Sequence, residues 1–145
     1  MLTVNKSFLQ EGPILPEQVA EIIASVKQGN VGAHSIFLGQ VRSDILDGQK
    51  VTEIEYSAYD EMVTKEMQKV INIIADKYSD IKRIYIMHAK GIVKVNEISL
   101  FIFAAGGHRK HAIRGVAEIV NLIKERVPIW KKEFLEDDSH RWPES

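Results

Sequence analysis

The chain has 145 residues, 45% of them hydrophobic and 27% charged, with a formal net charge of −1 and no cysteine. That much apolar material supports one packed core, read as a single domain over residues 1–145, and excludes a mainly disordered chain. Near-zero net charge argues against a general nucleic-acid binder, and no apolar run approaches the ~18 residues of a membrane span. The lack of cysteine removes disulfides, thiolate metal sites and cysteine nucleophiles, and suits a reducing cytoplasm, the location expected here. Met1–Gln10 does not read as a signal peptide.

Taken in chain order, Pro16-Glu17 opens a predicted helix with Val19, Ile22, Ile23 and Val26 at helical spacing and Gly29 as its stop. Val31–Leu38 reads as a strand ended by Gly39, and Gln40–Lys50 as a polar, mobile loop with a turn at Asp47-Gly48. Val51–Ser57 alternates as a strand. A helix from about Asp60 to Tyr78 is predicted to bury Val63, Met67, Val70, Ile71 and Ile74. Ile81–His88 and Val95–Ala104 are strands joined by a turn around Gly91, the second apolar enough to be central. Gly106-Gly107 leads into a helix from about Arg109 to Val127, closed by Pro128, and Ile129–Ser145 is a polar tail whose Trp130, Phe134 and Trp142 dock it on the body. Helix, strand, strand, helix, strand, strand, helix is an α+β order with a largely antiparallel sheet.

Charge is unevenly placed. His108–Lys132 holds seven cationic and two acidic residues, a local +5 that leaves −6 for the rest. A concentrated basic stretch on a mildly acidic chain suggests a local anionic ligand, or a solvated helix face. With Ile113 set at the centre of the last helix's apolar stripe, Lys124 falls about 20° from it at ~100° per residue. An ammonium there is paired, partly neutralised and reactive, or snorkels to water from the helix end. Gly106-Gly107-His108-Arg109 can offer free N–H groups and a guanidinium to an anion, or simply turn a strand into a helix. His108 and His111 have metal-like spacing, but Arg109 and Lys110 between them repel a cation, so no metal is expected. Arg42, after Gly39-Gln40-Val41, is a ligand contact or a surface charge. Pro128-Ile129-Trp130-Lys131-Lys132-Glu133 either anchors a turn that presents Lys131 or is a plain helix exit.

Gly39-x-Val41-Arg42, Glu55-Tyr56-x-Ala58-Tyr59, His88, Gly91, Glu97, His108-Arg109 and Lys124-x-Arg126-x-Pro128-x-Trp130-Lys131-Lys132-Glu133 form a series from about Leu15 to Trp142. In order and spacing it resembles the large, catalytic subunit of molybdopterin synthase. Ala89, Asn96 and Gly106 stand where that family usually has arginine, glycine and serine.

The resemblance implies an α/β hammerhead with an added small β subdomain. It implies a sulfurtransferase that moves two sulfurs onto cyclic pyranopterin monophosphate (precursor Z), forming the molybdopterin dithiolene. The sulfur donor would be a small ubiquitin-like subunit with a C-terminal glycine thiocarboxylate, and the assembly a homodimer within a heterotetramer. By the same resemblance Lys124 and Lys131 are the catalytic residues, and Gln40, Val41, Arg42, His108, Arg109, Lys132 and Glu133 join them in binding substrate, in a pocket shared across the dimer. No cofactor is implied, since the partner delivers the sulfur. The alternative is a non-catalytic adaptor holding an acidic partner tail in its basic groove; a lysine Schiff-base enzyme is a third reading.

Overall fold

The computed structural model describes residues 1–143; the last two residues of the segment read as a docked tail, 144–145, lie outside the described residues. The elements are β1 (Thr3–Val4), β2 (Leu9–Glu11), α1 (Pro16–Ser25), β3 (Ala33–Gln40), β4 (Ile45–Leu46), β5 (Gln49–Ala58), α2 (Asp60–Lys77), β6 (Ile81–Lys94), β7 (Ile98–Gly106), α3 (Arg109–Arg126), β8 (Ile129–Leu135) and β9 (His140–Arg141). The strands lie in the order β3-β7-β6-β5-β8-β9, every neighbouring pair antiparallel. Only the short β1 and β2 pair in parallel, both on β6. The fold is therefore α+β with a largely antiparallel sheet.

β7 explains its own composition. Ile102 and Ala104 face the core formed with α2 and α3, and Phe101 and Phe103 face a second core that Val19 and Ile22 of α1, with Val26 just after it, help to cover. A strand covered on both faces has no reason to alternate polar residues. α2 buries Val63, Met67, Val70, Ile71 and Ile74, as its spacing predicts. No helix of the described residues is long and apolar enough to cross a membrane.

Five expectations change. Ile23 is exposed, because α1 lies on its sheet face with only a narrow stripe and buries no residue fully. Gln40–Lys50 is not a free loop: β4 pairs with β5 through a turn in which Asp47 and Gly48 both have positive φ, the conformation of a tight hairpin. β6 does not turn at Gly91 but runs through it to Lys94. The positive φ of 88° at Gly91 lets the strand leave β7 and pair with β5, and the reversal comes at Val95–Glu97 around Asn96, φ 75°. After Pro128 the chain forms β8, a sheet strand along β5.

The fifth change concerns α3. Its buried residues are Ala112, Gly115, Val116, Ile119 and Ile123, a face turned about 100° from Ile113 at 3.6 residues per turn. Ile113 is 57% exposed, and Lys124 lies on its side of the helix, outside the core. Gly115 marks the true face. A Cβ there would come within 2.7 Å of the Ile81 side chain, so α3 packs against the sheet through its smallest residues.

Candidate functional site

Lys124 lies in the last turn of α3, and Lys131 stands seven residues on, on β8 opposite Tyr56 of β5. The two ammonium groups are near enough to feel one another. Lys131 keeps an exposed surface, but partial desolvation pushes its pKa below the ordinary value, and the charge of Lys124 pushes the same way, against the pull of Glu133. Lysine in such surroundings releases its proton more easily than a solvated one.

Beneath them lies His88, only 7% exposed. Its Nδ1–H donates to the Ala89 carbonyl at 2.7 Å, which leaves Nε2 as the lone-pair nitrogen. Its ring meets Tyr56 edge-on at 4.9 Å. Burial, then the charges of Lys131 and Lys124, lower its pKa to about 4, so the imidazole is neutral at pH 7. Two cations above a neutral, desolvated imidazole are left to be balanced from outside, which suits an anionic ligand.

The same burial gives a pH signature. Unfolded, His88 takes up a proton near its ordinary value of 6.5; folded, only near 4. Between these values the unfolded chain binds more protons, so stability is lost as pH falls through the window. Acidifying from pH 7.5 to 5 is expected to remove about 2 kcal/mol through this group. His88→Gln should lose that increment, which urea unfolding at both pH values measures; an equal acid loss in variant and parent contradicts a buried neutral imidazole.

Alternation along β8 separates the remaining residues. Glu133 lies on the face of Lys131, is buried, and accepts from Arg141 Nε of β9 at 3.0 Å. Lys132 lies on the opposite face, its ammonium 5.3 Å from the Phe134 ring and 5.7 Å from that of Trp142, apart from the lysine pair. Trp130 shares that outer face, edge-on to exposed Tyr59 at 5.9 Å, and the two line a shallow pocket with Ser57 and Ala58.

α3 doubles back along β7 and β3, so Lys124 finishes toward the end of the sheet where Gln40 pairs with Ile98. Gln40 is exposed there. Val41 is buried, and its backbone bonds to Glu97 O (3.0 Å) and from Asn96 N (2.9 Å) tie it to the β6–β7 turn. Arg42, its side chain 84% exposed, projects from this anchored base and pairs with Asp44 at 2.6 Å, its one ion-pair partner among the described residues.

His108 and Arg109 are not with them. They open α3, and fifteen residues at 1.5 Å each put Arg109 about 22 Å from Lys124 along the helix. Arg42, Lys124 and Lys131 thus stand at one end of the helix and His108 and Arg109 at the other. Between them Ile113, Ala117 and Lys124 are exposed, with Val120 half-buried against the core, and beside them β3 is a sheet edge with Ile36 and Leu38 exposed.

Sequence reasoning quoted His88 only as one residue of the resemblance and missed Arg141 and Asp80 as neighbours of these groups. The last accepts from His108 N–H and His111 Nδ1–H. Each is joined to its group by strand pairing or by a contact far along the chain; an isolated histidine inside an apolar strand was the one local signal.

The family model described as "MoaE protein" matches residues 9–126. A molybdopterin synthase catalytic subunit of Drosophila erecta is 40% identical over 131 residues, covering 90% of this chain and 35% of that protein; the chain thus spans about a third of such relatives. The namesake protein of Taeniopygia guttata is 35% identical over 127 residues, 88% of this chain and 81% of its own. Among solved structures, molybdopterin synthase from Staphylococcus aureus superposes with a TM-score of 0.85 at 31% identity, covering 97% of this chain and 98% of that one. A complex of subunits 1 and 2 of molybdopterin-converting factor from Helicobacter pylori shares the fold, with a TM-score of 0.75 at 19% identity, covering 95% and 90%.

Proposed function

The chain belongs to the MoaE protein family, and on that footing we propose that it is the catalytic subunit of a molybdopterin synthase, a sulfurtransferase that converts precursor Z to the molybdopterin dithiolene. The observation that carries the reading is the Lys124–Lys131 pair above neutral His88. Such a pair attracts the thiocarboxylate at the end of a partner's tail and stabilises the oxygen of a substrate phosphate as it departs. Lys131, with its lowered pKa, is the readier proton donor, and Lys124 supplies fixed charge.

The separation of His108 and Arg109 from the lysines supports a homodimer as the working assembly. One chain cannot bring His108 and Arg109 to its own lysines, but a second copy can, and the open β3 edge with exposed Ile113 and Ala117 of α3 is a surface for it to cover. Each lysine pair would then share its pocket with His108 and Arg109 of the other copy. Arg42, with Gln40 beside it, is the substrate-binding group at the lysine end, and Glu133, on the face of Lys131, holds Arg141. Two small ubiquitin-like subunits, one for each lysine pair, complete a heterotetramer in the cytoplasm, where a cysteine-free subunit takes its sulfur from the partner.

The test is reconstitution with thiocarboxylated small subunit and precursor Z. Dithiolene should form, and deleting the partner's last two residues should abolish transfer while the globular contact still docks. No dithiolene with intact components overturns the proposal, and binding without turnover would favour an adaptor.

A further inference from the structure

The first turn of α3 presents a physical problem. It carries Arg109 and Lys110 at the positive end of a helix dipole, holds no acidic residue, and its N-cap, His108, makes no side-chain cap bond. Left alone, that turn would fray and its cations would spread apart.

Asp80, in the turn between α2 and β6, supplies what is missing. Its carbonyl accepts from Gly107 N–H at 3.0 Å, its Oδ2 from His108 N–H at 3.0 Å, and its Oδ1 from His111 Nδ1–H at 2.6 Å. Burial alone would raise the Asp80 pKa; the bonds from His111 and His108 outweigh it and hold the carboxyl below its usual value. From the other side, Gly32 donates to Gly106 O at 2.9 Å, and a Cβ on Gly32 would lie 2.6 Å from Gly107 O. The turn is gripped between β3 and Asp80.

We propose that Asp80 is the positioning residue that sets His108 and Arg109 for the substrate's phosphate, an assignment that rests on the function proposed above. Asp80 touches no substrate. It fixes the backbone from which both side chains project, and its single negative charge is spent on His111 and a backbone N–H, which leaves Arg109 free for the ligand.

The test compares Asp80→Ala, Asp80→Asn and, as a control, Glu118→Gln in the assembled enzyme. Glu118 ties Lys77 and Tyr78 to α3 at 2.7 and 2.8 Å without touching the turn. Asp80→Ala should raise KM for precursor Z about tenfold with kcat little changed, the pattern of lost uniform binding. Asp80→Asn, which can still accept from His108 N–H, should recover most of that affinity. Glu118→Gln should lower Tm without moving KM. An unchanged KM in Asp80→Ala, an equal rise in Glu118→Gln, or no rescue by asparagine overturns the proposal.

Hydrogen exchange of the unaltered homodimer judges the grip without any turnover, so a failure of the functional reading stays distinguishable. The Gly107 and His108 amides should exchange as slowly as those inside α3; loop-like exchange overturns the proposal even if precursor Z is the substrate.

Discussion

Lys124→Ala is expected to fold, dimerise and bind the small subunit as the parent does, yet lose dithiolene formation by about a hundredfold or more, the usual cost of removing a preorganised electrostatic group. The structure makes this substitution clean. Lys124 is exposed, makes no hydrogen bond or ion pair among the described residues, and lies off the buried face of α3, so truncation opens no cavity. It also removes a charge that lowers the Lys131 pKa, so the surviving lysine should titrate higher. Single-turnover assays with pre-loaded thiocarboxylate read the chemical step; turnover close to the parent's would remove Lys124 from the mechanism.

Arg109→Ala should weaken precursor Z binding by more than tenfold. A hydrogen bond to a charged group contributes about 1.5–3 kcal/mol, and a guanidinium beside a phosphate can make two. Arg109 is exposed, and no partner for its side chain stands among the described hydrogen bonds or ion pairs, so the loss should appear in affinity and leave Tm nearly unchanged. Calorimetry of the homodimer measures it. Unaltered affinity would take Arg109 out of the phosphate site and with it the reason for a shared pocket.

Much of this was legible in the sequence wherever one local rule acted alone. α2 has an unbroken apolar spacing, and its buried residues follow from it. The nearly continuous apolar run of β7, broken only by Ser99, marked it as a central strand. Phase failed in α3 because its buried face uses Ala112 and Gly115, which a reading by hydrophobicity underweights, while Ile113 and Ala117 are spent on an uncovered surface. The β6–β7 turn was misplaced for a related reason: Gly91 uses its positive φ to change partners in mid-strand, and Asn96 makes the reversal.

For the site, residue types were legible and their convergence was not. Lys124 and Lys131 are close in sequence and in space, and Val41-Arg42 stands at the end of β3 as its position suggested. Lys132, one residue from Lys131, faces the other way, since a strand alternates. The grip of Asp80 on His108 and His111 spans 28 and 31 residues, beyond any local pattern. The distance between Arg109 and Lys124 depends on both lying in one continuous helix.

In the proposed assembly each pocket takes its lysines from one chain and His108-Arg109 from the other. Mixing Lys124→Ala and Arg109→Ala chains tests it, with dithiolene formation from precursor Z and thiocarboxylated small subunit as the readout. A mixed dimer pairs the intact lysines of the Arg109→Ala chain with the intact Arg109 of the Lys124→Ala chain at one site and leaves the other site doubly disabled. With precursor Z held well below the parent KM, random reassociation of a two-fold dimer should therefore restore about a quarter of the parent activity, from two preparations that each show about a tenth or less alone. A mixture no more active than its components would contradict the shared pocket.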